Sequence, residues 1–177
     1  MRTRDDLDGD DFADFGGGFR GGVDGGFFTI FTSQGPRTKA ANDAALAFGV
    51  NRGLEIREMI AKNPTKFELA LTADDAVRIA AAKKRIVFMS MENAYPLGDD
   101  PGKLQTFYGL GVRMVGFAHF ANNDFADSAP AKAEWHDLSP AGRGLLAEMN
   151  RLGVIPDPSH SSDQVLEQVI EIGRAHV

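Results

Sequence analysis

Arg85-Ile-Val-Phe-Met-Ser-Met91 is an apolar run that leads directly into the carboxylate of Glu92. Two further runs have the same form: Arg113-Met-Val-Gly-Phe-Ala118 leads into His119, and Val154-Ile-Pro-Asp157 leads shortly into His160. Each run follows a helix-like stretch and a turn, as the strands of a parallel sheet do. Parallel strands bring their carboxyl ends to one edge of the sheet, where β/α folds carry their chemistry. The three runs therefore predict the fold class and a functional site together.

Strand-like and helix-like segments alternate about five times along the chain. Strands are predicted at residues 26–33, 67–71, 85–91, 113–118 and 154–157, and helices at residues 38–62, 72–84, 104–108, 139–152 and 161–170. Alternation of this kind predicts an α/β fold with a parallel sheet. A complete (β/α)₈ barrel needs about 250 residues. The 177 residues therefore predict either an open doubly wound sheet or part of a barrel.

The long helix predicted at residues 38–62 carries apolar side chains at three- and four-residue spacing. This periodicity predicts that the following side chains face the core: Ala47, Val50, Leu54, Ile56, Met59 and Ile60. Asn63 and Pro64 are expected to end the helix.

Composition excludes several classes of function. The net charge is -6 without a basic stripe, so nucleic acid is not expected as a partner. No run approaches the roughly 18 apolar residues of a membrane span, and the charged start lacks a signal peptide's apolar region. A soluble protein is expected, in the cytoplasm or periplasm if the source is bacterial. Because cysteine is absent, any metal must be held by His, Asp or Glu.

A glycine motif at residues 16–21 formally matches the dinucleotide-binding pattern G-x-G-x-x-G. That pattern needs a strand before it and a helix after it, whereas here an acidic stretch precedes and a strand-like run follows. We therefore expect a tight, conformationally permissive lead-in to a strand and no nucleotide cofactor.

Each of the three strand-end residues has two possible interpretations, one functional and one structural. Glu92 is either a metal or cation ligand at the edge of a buried strand or a solvated loop carboxylate. His119 is either a hydrogen-bonded core histidine or a group that polarises a carbonyl or stabilises an oxyanion. His160 is either a metal ligand or part of a helix-capping loop, and His136 is expected to be exposed. Because three such residues end at one edge, a metal-dependent hydrolase is favoured.

Several stretches resemble the renal (membrane) dipeptidase family of zinc peptidases. They are Gly21-Gly-Val-Asp-Gly-Gly-Phe-Phe-Thr-Ile-Phe31, the segment from Phe107-Tyr-Gly-Leu-Gly-Val-Arg113 through His119 and Asn123 to Asp127-Ser128, and Met149-Asn-Arg-Leu-Gly-Val-Ile-Pro-Asp-Pro-Ser-His160. The resemblance implies a (β/α)₈ barrel of the metal-dependent hydrolase kind, of which about five β/α units are present. It also implies hydrolysis of the peptide bond of dipeptides by metal-activated water at a two-zinc site.

The resemblance also implies roles for individual residues. Glu92 matches the carboxylate that bridges both zinc ions, His160 matches a ligand of one zinc, and His119 matches the histidine that contacts the substrate and the tetrahedral intermediate. The chain also departs from the family pattern. The family's first strand carries a His-x-Asp pair that this chain does not show, and Asn93 stands where the family usually has glycine. A further zinc histidine, the catalytic aspartate and a substrate-binding arginine are expected beyond residue 177.

The ends of the chain carry separate expectations. Residues 171–177 spell a peptide that a common sequencing adapter encodes, so we predict a non-native tail there and assign no role to His176. Residues 1–170 are predicted to be a partial dipeptidase catalytic domain, truncated at both ends and inactive alone. The alternatives are another metal-dependent amidohydrolase that opens cyclic amides or lactams, and a non-catalytic β/α binding protein. A homodimer stays open.

Overall fold

The structure is a computed structural model that describes residues 23–174. The described chain contains five strands and five α-helices: β1 (Gly25–Phe31), α1 (Lys39–Lys62), β2 (Phe67–Leu69), α2 (Ala73–Ala81), β3 (Arg85–Glu92), α3 (Leu104–Leu110), β4 (Val112–Gly116), α4 (Pro140–Leu152), β5 (Ile155–Asp157) and α5 (Asp163–Arg174). Short 3₁₀ turns at Tyr95–Leu97 and Pro101–Lys103 join β3 to α3. The glycine motif at residues 16–21 lies outside the described residues.

All five strands form one parallel sheet in the order β1-β3-β4-β5, with β2 also paired to β3. β1 runs along nearly the whole of β3, from Gly25 opposite Ile86 to Phe31 opposite Glu92. β2 and β4 therefore share the other edge of β3, where β2 pairs with its first residues and β4 with its last. The parallel α/β architecture predicted from the alternating pattern is confirmed.

The two faces of the sheet have different surroundings. Ile30 and Met89 are fully buried and point toward α1, which packs across that face. On the opposite face, the hydroxyl oxygens of Thr29 and Ser90 are hydrogen bonded at 2.9 Å. Phe27 stacks on Phe88 on this second face and stays 44% exposed. In a closed barrel, this face would be the interior.

The face that α1 turns to the sheet agrees with the prediction only in part: Ile56 is buried, and Val50 and Ile60 pack against the core, as predicted. The buried residues are Ala45, Gly49, Gly53 and Ile56, whereas Leu54 is 51% exposed and Ala47 is exposed. A Cβ atom on Gly49 would lie 3.1 Å from the Phe107 ring, so the absence of a side chain allows the helix to approach. Hydrophobic periodicity missed part of this face because two of its positions are glycines.

The remaining elements follow the sequence signals closely. Thr72 and Asp75 form a capping box at the start of α2, and the Ser139 hydroxyl accepts from the Gly142 N–H at the start of α4. Gly153 ends α4 in the left-handed conformation, with φ +70°. Helix α5 continues past residue 170, and the tail boundary stays a prediction. Within residues 23–174, no helix has the length and apolar character needed to cross a bilayer.

Candidate metal centre

Glu92 is the last residue of β3, and its side chain is 35% exposed at the carboxyl end of the sheet. Asn93 follows with φ +72°, in the left-handed region that glycine adopts freely and asparagine tolerates better than most residues. This conformation is compatible with asparagine at a position where the resemblance implies glycine. The chain therefore turns at Asn93, immediately after Glu92.

His119 follows β4 by three residues, and its ring is enclosed by aromatic side chains. The ring centroid lies 4.9 Å from that of Phe31 and 4.0 Å from that of Phe120. The Ser128 hydroxyl donates a hydrogen bond to the His119 carbonyl oxygen. These contacts leave the His119 side chain 18% exposed, the most buried of the three site residues.

His160 lies in the loop after β5 and has φ +64°, an uncommon conformation for a residue other than glycine. Its carbonyl oxygen accepts a hydrogen bond from the Ala129 N–H at 2.8 Å. Next to it, Ser161 forms an antiparallel bridge with Ser128, the residue that holds the His119 carbonyl. The loops after β4 and β5 are thus joined, and this junction brings the two histidines together.

The three predicted residues converge on one carboxylate oxygen. Oε1 of Glu92 lies 3.1 Å from Nε2 of His160 and 3.4 Å from Nε2 of His119. The two imidazole centroids are 4.4 Å apart. Candidate ligand atoms of all three residues lie within 4.8 Å of one another, which makes this a group that could hold a metal ion. By contrast His136 is exposed, as predicted.

A pocket of about 200 Å³ opens below this cluster, on the second face of the sheet. Thr29, Ser90, Met114 and Asp157 line its floor and walls, together with Glu92 and His160. The Asp157 carboxylate also accepts the Ser159 N–H at 2.9 Å, which shapes the turn leading to His160. The cluster therefore lies at the mouth of a polar pocket, within reach of solvent and a small ligand.

Asp127 supports the site from the loop after β4, a role that the sequence did not reveal. Its carboxylate is 1% exposed and accepts backbone N–H groups from Glu134, Trp135 and His136, the last at 2.7 Å. These hydrogen bonds hold the segment from Glu134 to His136 against Asp127 and so compact the loop. The only signal was the position of Asp127-Ser128 in the stretch that resembles the family.

Arg37, which lies between β1 and α1, also binds the loop after β4. Its guanidinium donates to the Asn123 carbonyl oxygen at 3.1 Å and pairs with Glu134 at 2.7 Å. The hydrogen bond from Arg37 to Glu134 raises the pKa of the guanidinium further. Burial raises the pKa of Asp124, which lies 3.8 Å from Arg37, because desolvation disfavours its charged form.

A parallel β/α sheet that gathers one carboxylate and two imidazoles at its carboxyl edge has the architecture of metal-dependent hydrolases built on the TIM barrel. The sequence profile of the membrane dipeptidase family (peptidase family M19) matches residues 15–177. The chain therefore belongs to the membrane dipeptidase family, as the resemblance predicted.

Individual relatives agree with this assignment. Dipeptidase tcpJ of Claviceps purpurea is 40% identical over 113 residues, which make up 63% of this chain and 27% of that protein. The probable dipeptidase PvdM from Pseudomonas aeruginosa, which has a crystal structure, is 34% identical in sequence to this chain. The two structures superpose with a TM-score of 0.79, and the match covers 86% of this chain and 41% of that one.

A metallo peptidase from Rhodobacter sphaeroides, crystallised with a phosphinate mimic of the dipeptide L-Ala-D-Ala, shares the fold. It has 24% identity and a TM-score of 0.76, and the match covers 86% of this chain and 51% of that one. These structural matches confirm an α/β fold of the TIM-barrel type. The chain spans about a quarter of the length of the tcpJ protein and between 41% and 51% of the two solved structures.

Proposed function

We propose that the chain contributes to a zinc-dependent dipeptidase site, in which Glu92 and His160 bind metal and His119 contacts the substrate. The observation that carries the proposal is the convergence of both Nε2 atoms on Oε1 of Glu92, within 3.4 Å. Residues 68 positions apart meet there because parallel strands end at one edge. Membership of the membrane dipeptidase family supports the same chemistry.

The donor set fits zinc. Imidazole nitrogens and a carboxylate are ligands that zinc takes in catalytic sites, and the chain has no cysteine that would favour a structural thiolate site. Glu92 and His160 are about one third exposed, so an ion can reach them from solvent. When bound, zinc acts as a Lewis acid that lowers the pKa of water to about 7.

The number of ions is part of the proposal. Glu92 has two carboxylate oxygens and can serve two ions a few Å apart, as the bridging role implies. We assign one ion to His160 and take the second from the family's two-zinc pattern. The chain alone is expected to bind one ion through Glu92 and His160, to lack ligands of the complete two-zinc site, and to be inactive.

His119 is assigned to the substrate. Its imidazole, held between Phe31 and Phe120, can donate a hydrogen bond to the carbonyl oxygen of the peptide bond. The same donor would stabilise the negative charge that develops on that oxygen in the tetrahedral intermediate. The pocket beneath the cluster has room for a small ligand, and the substrate class proposed is a dipeptide.

The first experiment measures zinc binding by the 177-residue chain and by Glu92→Gln. We expect the wild-type chain to bind zinc and the variant to bind it much more weakly, because the shared oxygen ligand is weakened. A wild-type chain that binds no zinc would favour the non-catalytic β/α binding protein.

The second experiment measures hydrolysis in a chimaera, in which residues 23–174 replace the matched part of PvdM. Dipeptides, including ones with a D-residue at the carboxyl side, are compared with cyclic amides and lactams. We expect hydrolysis of dipeptides that depends on Glu92. Hydrolysis of cyclic amides alone would assign the chain to another class of amidohydrolase. Size-exclusion chromatography of the same samples tests whether the protein forms a homodimer.

A further inference from the structure

Two buried asparagines lie directly behind the metal-site residues. Asn93 follows Glu92 in the sequence, and Asn123 lies four residues after His119; both side chains are 0% exposed. Nδ2 of Asn123 donates to Oδ1 of Asn93 at 3.0 Å, so the two amides form a direct pair. The pair joins the turn after β3 to the loop after β4.

Asn93 uses all of its hydrogen-bonding capacity. Its Nδ2 donates to the Thr32 carbonyl oxygen at 2.9 Å and to Oε1 of Gln34 at 3.4 Å. Its Oδ1 accepts the Tyr95 N–H at 3.2 Å in addition to Asn123. Two donors and two acceptor positions are the full inventory of an amide side chain. Asn93 thus connects the end of β1 with the turn after β3.

Asn123 is satisfied in the same way. Its Nδ2 also donates to the Phe117 carbonyl oxygen at 2.6 Å, and its Oδ1 accepts the N–H groups of Phe125 and Ala126 at 2.8 and 3.1 Å. The amide pair therefore ties together the carboxyl ends of β1, β3 and β4. These are the ends that carry Phe31, Glu92 and His119.

Every polar side-chain atom of Asn93 and Asn123 has a hydrogen-bond partner, which is not true of other amides with buried atoms in the described chain. Oδ1 of Asn42 and Nδ2 of Asn150 are buried without a hydrogen-bond partner. A fully bonded amide network in the interior fixes one arrangement, because every displacement would leave a buried polar atom unpaired. The positive φ of Asn93 adds a backbone conformation that few residues other than glycine accept.

We propose that the Asn93–Asn123 pair is a positioning device that sets the separation of Glu92 and His119 for metal and substrate. The inference rests on the proposed zinc site and extends it to residues that touch neither ligand. Because Asn93 is covalently adjacent to Glu92, release of its side chain frees the turn that aims the carboxylate. Loss of partners that orient ligands typically weakens metal binding about 10- to 100-fold.

The test compares zinc affinity in Asn93→Gly and Asn63→Gly. Glycine accepts the positive φ at position 93, so the first variant removes the amide without backbone strain. Asn63 is the matched control because its Nδ2 donates to a backbone carbonyl, that of Met59, at the end of α1. We expect both variants to lower the thermal midpoint of unfolding, and Asn93→Gly alone to weaken zinc binding, by about 10-fold.

A second variant leaves position 93 unchanged and adds amide exchange, a readout that needs no metal. Asn123→Asp keeps the acceptor for Phe125 and Ala126 but replaces the donor that faces Asn93. We expect faster amide exchange at Tyr95, weaker zinc binding and continued protection at Phe125. Wild-type zinc affinity in both Asn93→Gly and Asn123→Asp would overturn the positioning role alone. A wild-type chain that binds no zinc would overturn the proposed metal site, and the positioning role with it.

Discussion

Nε2 of His160 lies 3.1 Å from Oε1 of Glu92, although 68 positions separate the two residues in sequence. Their meeting depends on the β3–β4–β5 part of the sheet and on the junction between the loops after β4 and β5. Neither residue would approach the other through local structure. The contact therefore reports both on the fold and on the integrity of the site.

The role of His160 can be separated from its unusual backbone by a matched pair of variants. His160 and His136 both have positive φ, +64° and +62°, so glycine relieves the same strain at either position. We expect His160→Gly to weaken zinc binding by more than about 100-fold. This exceeds the loss of about 10- to 100-fold that is typical when a residue that only orients a ligand is removed. His136→Gly should keep wild-type affinity. Isothermal titration with zinc measures both, and equal affinities would contradict the ligand role.

His119→Ala distinguishes a substrate contact from a third metal ligand. If His119 stabilises the developing oxyanion, zinc affinity should be unchanged and kcat in the PvdM chimaera should fall about 100-fold. KM is expected to change much less, because the contact strengthens in the transition state. A loss of zinc affinity comparable to that of His160→Gly would instead make His119 a ligand.

Gly142 in α4 should not tolerate a side chain. An added Cβ atom would lie 2.0 Å from the Phe125 carbonyl oxygen, which belongs to the loop that carries Asn123. We expect Gly142→Ala to lower the free energy of unfolding by about 3 kcal/mol, the upper range for overpacking. Gly109→Ala in α3 is the control, since no atom lies within 4 Å there. It should raise stability by about 0.5–1 kcal/mol in urea unfolding.

The capping box of α2 predicts a pH-dependent contribution to stability. The hydrogen bond from Arg78, together with those from the Leu71 N–H and Thr72, lowers the pKa of Asp75 from 3.8 to about 2. A depressed pKa in the folded state stabilises the protein above the ordinary value, and this contribution is lost as the pH falls through about 2.

We therefore expect Asp75→Asn to lower the thermal midpoint at neutral pH and the difference from wild type to shrink between pH 3.8 and about 2. Asp74→Asn, in the same helical turn but outside the capping box, is the control and should show a smaller difference at neutral pH. Thermal unfolding of both variants, monitored by circular dichroism over this pH range, measures these differences. A difference that is independent of pH would exclude the carboxylate as its source.

The site residues could be predicted from the sequence because strand ends are visible in it. The apolar run before Glu92 has the length of a strand, and parallel topology places Glu92, His119 and His160 at one edge. Their mutual distances could not be predicted, because these depend on loop contacts such as Ser128 with Ser161. Hydrogen bonds between loops leave no periodic pattern in the sequence from which they could be predicted.

Two other features were beyond sequence reasoning for physical reasons. The buried face of α1 is formed partly by Gly49 and Gly53, which contribute no hydrophobic side chain to a periodic pattern. The Asn93–Asn123 pair joins positions 30 apart and depends on the left-handed conformation of Asn93. Asparagine is ordinarily a loop residue, so its burial is known only from the packed structure.

The pairing of β1 with β3 restricts how this protein can change during evolution. Phe31 lies opposite Glu92, and the Thr29–Ser90 hydrogen bond fixes the same face two residues earlier. One inserted or deleted residue between Ser90 and Glu92 would turn the carboxylate toward the helices, because side chains alternate along a strand. Homologues are therefore expected to exchange side chains in β3 but to keep its length. Gains and losses of residues should collect instead in the segment around Asp99 and Asp100, beyond the turn that holds the carboxylate.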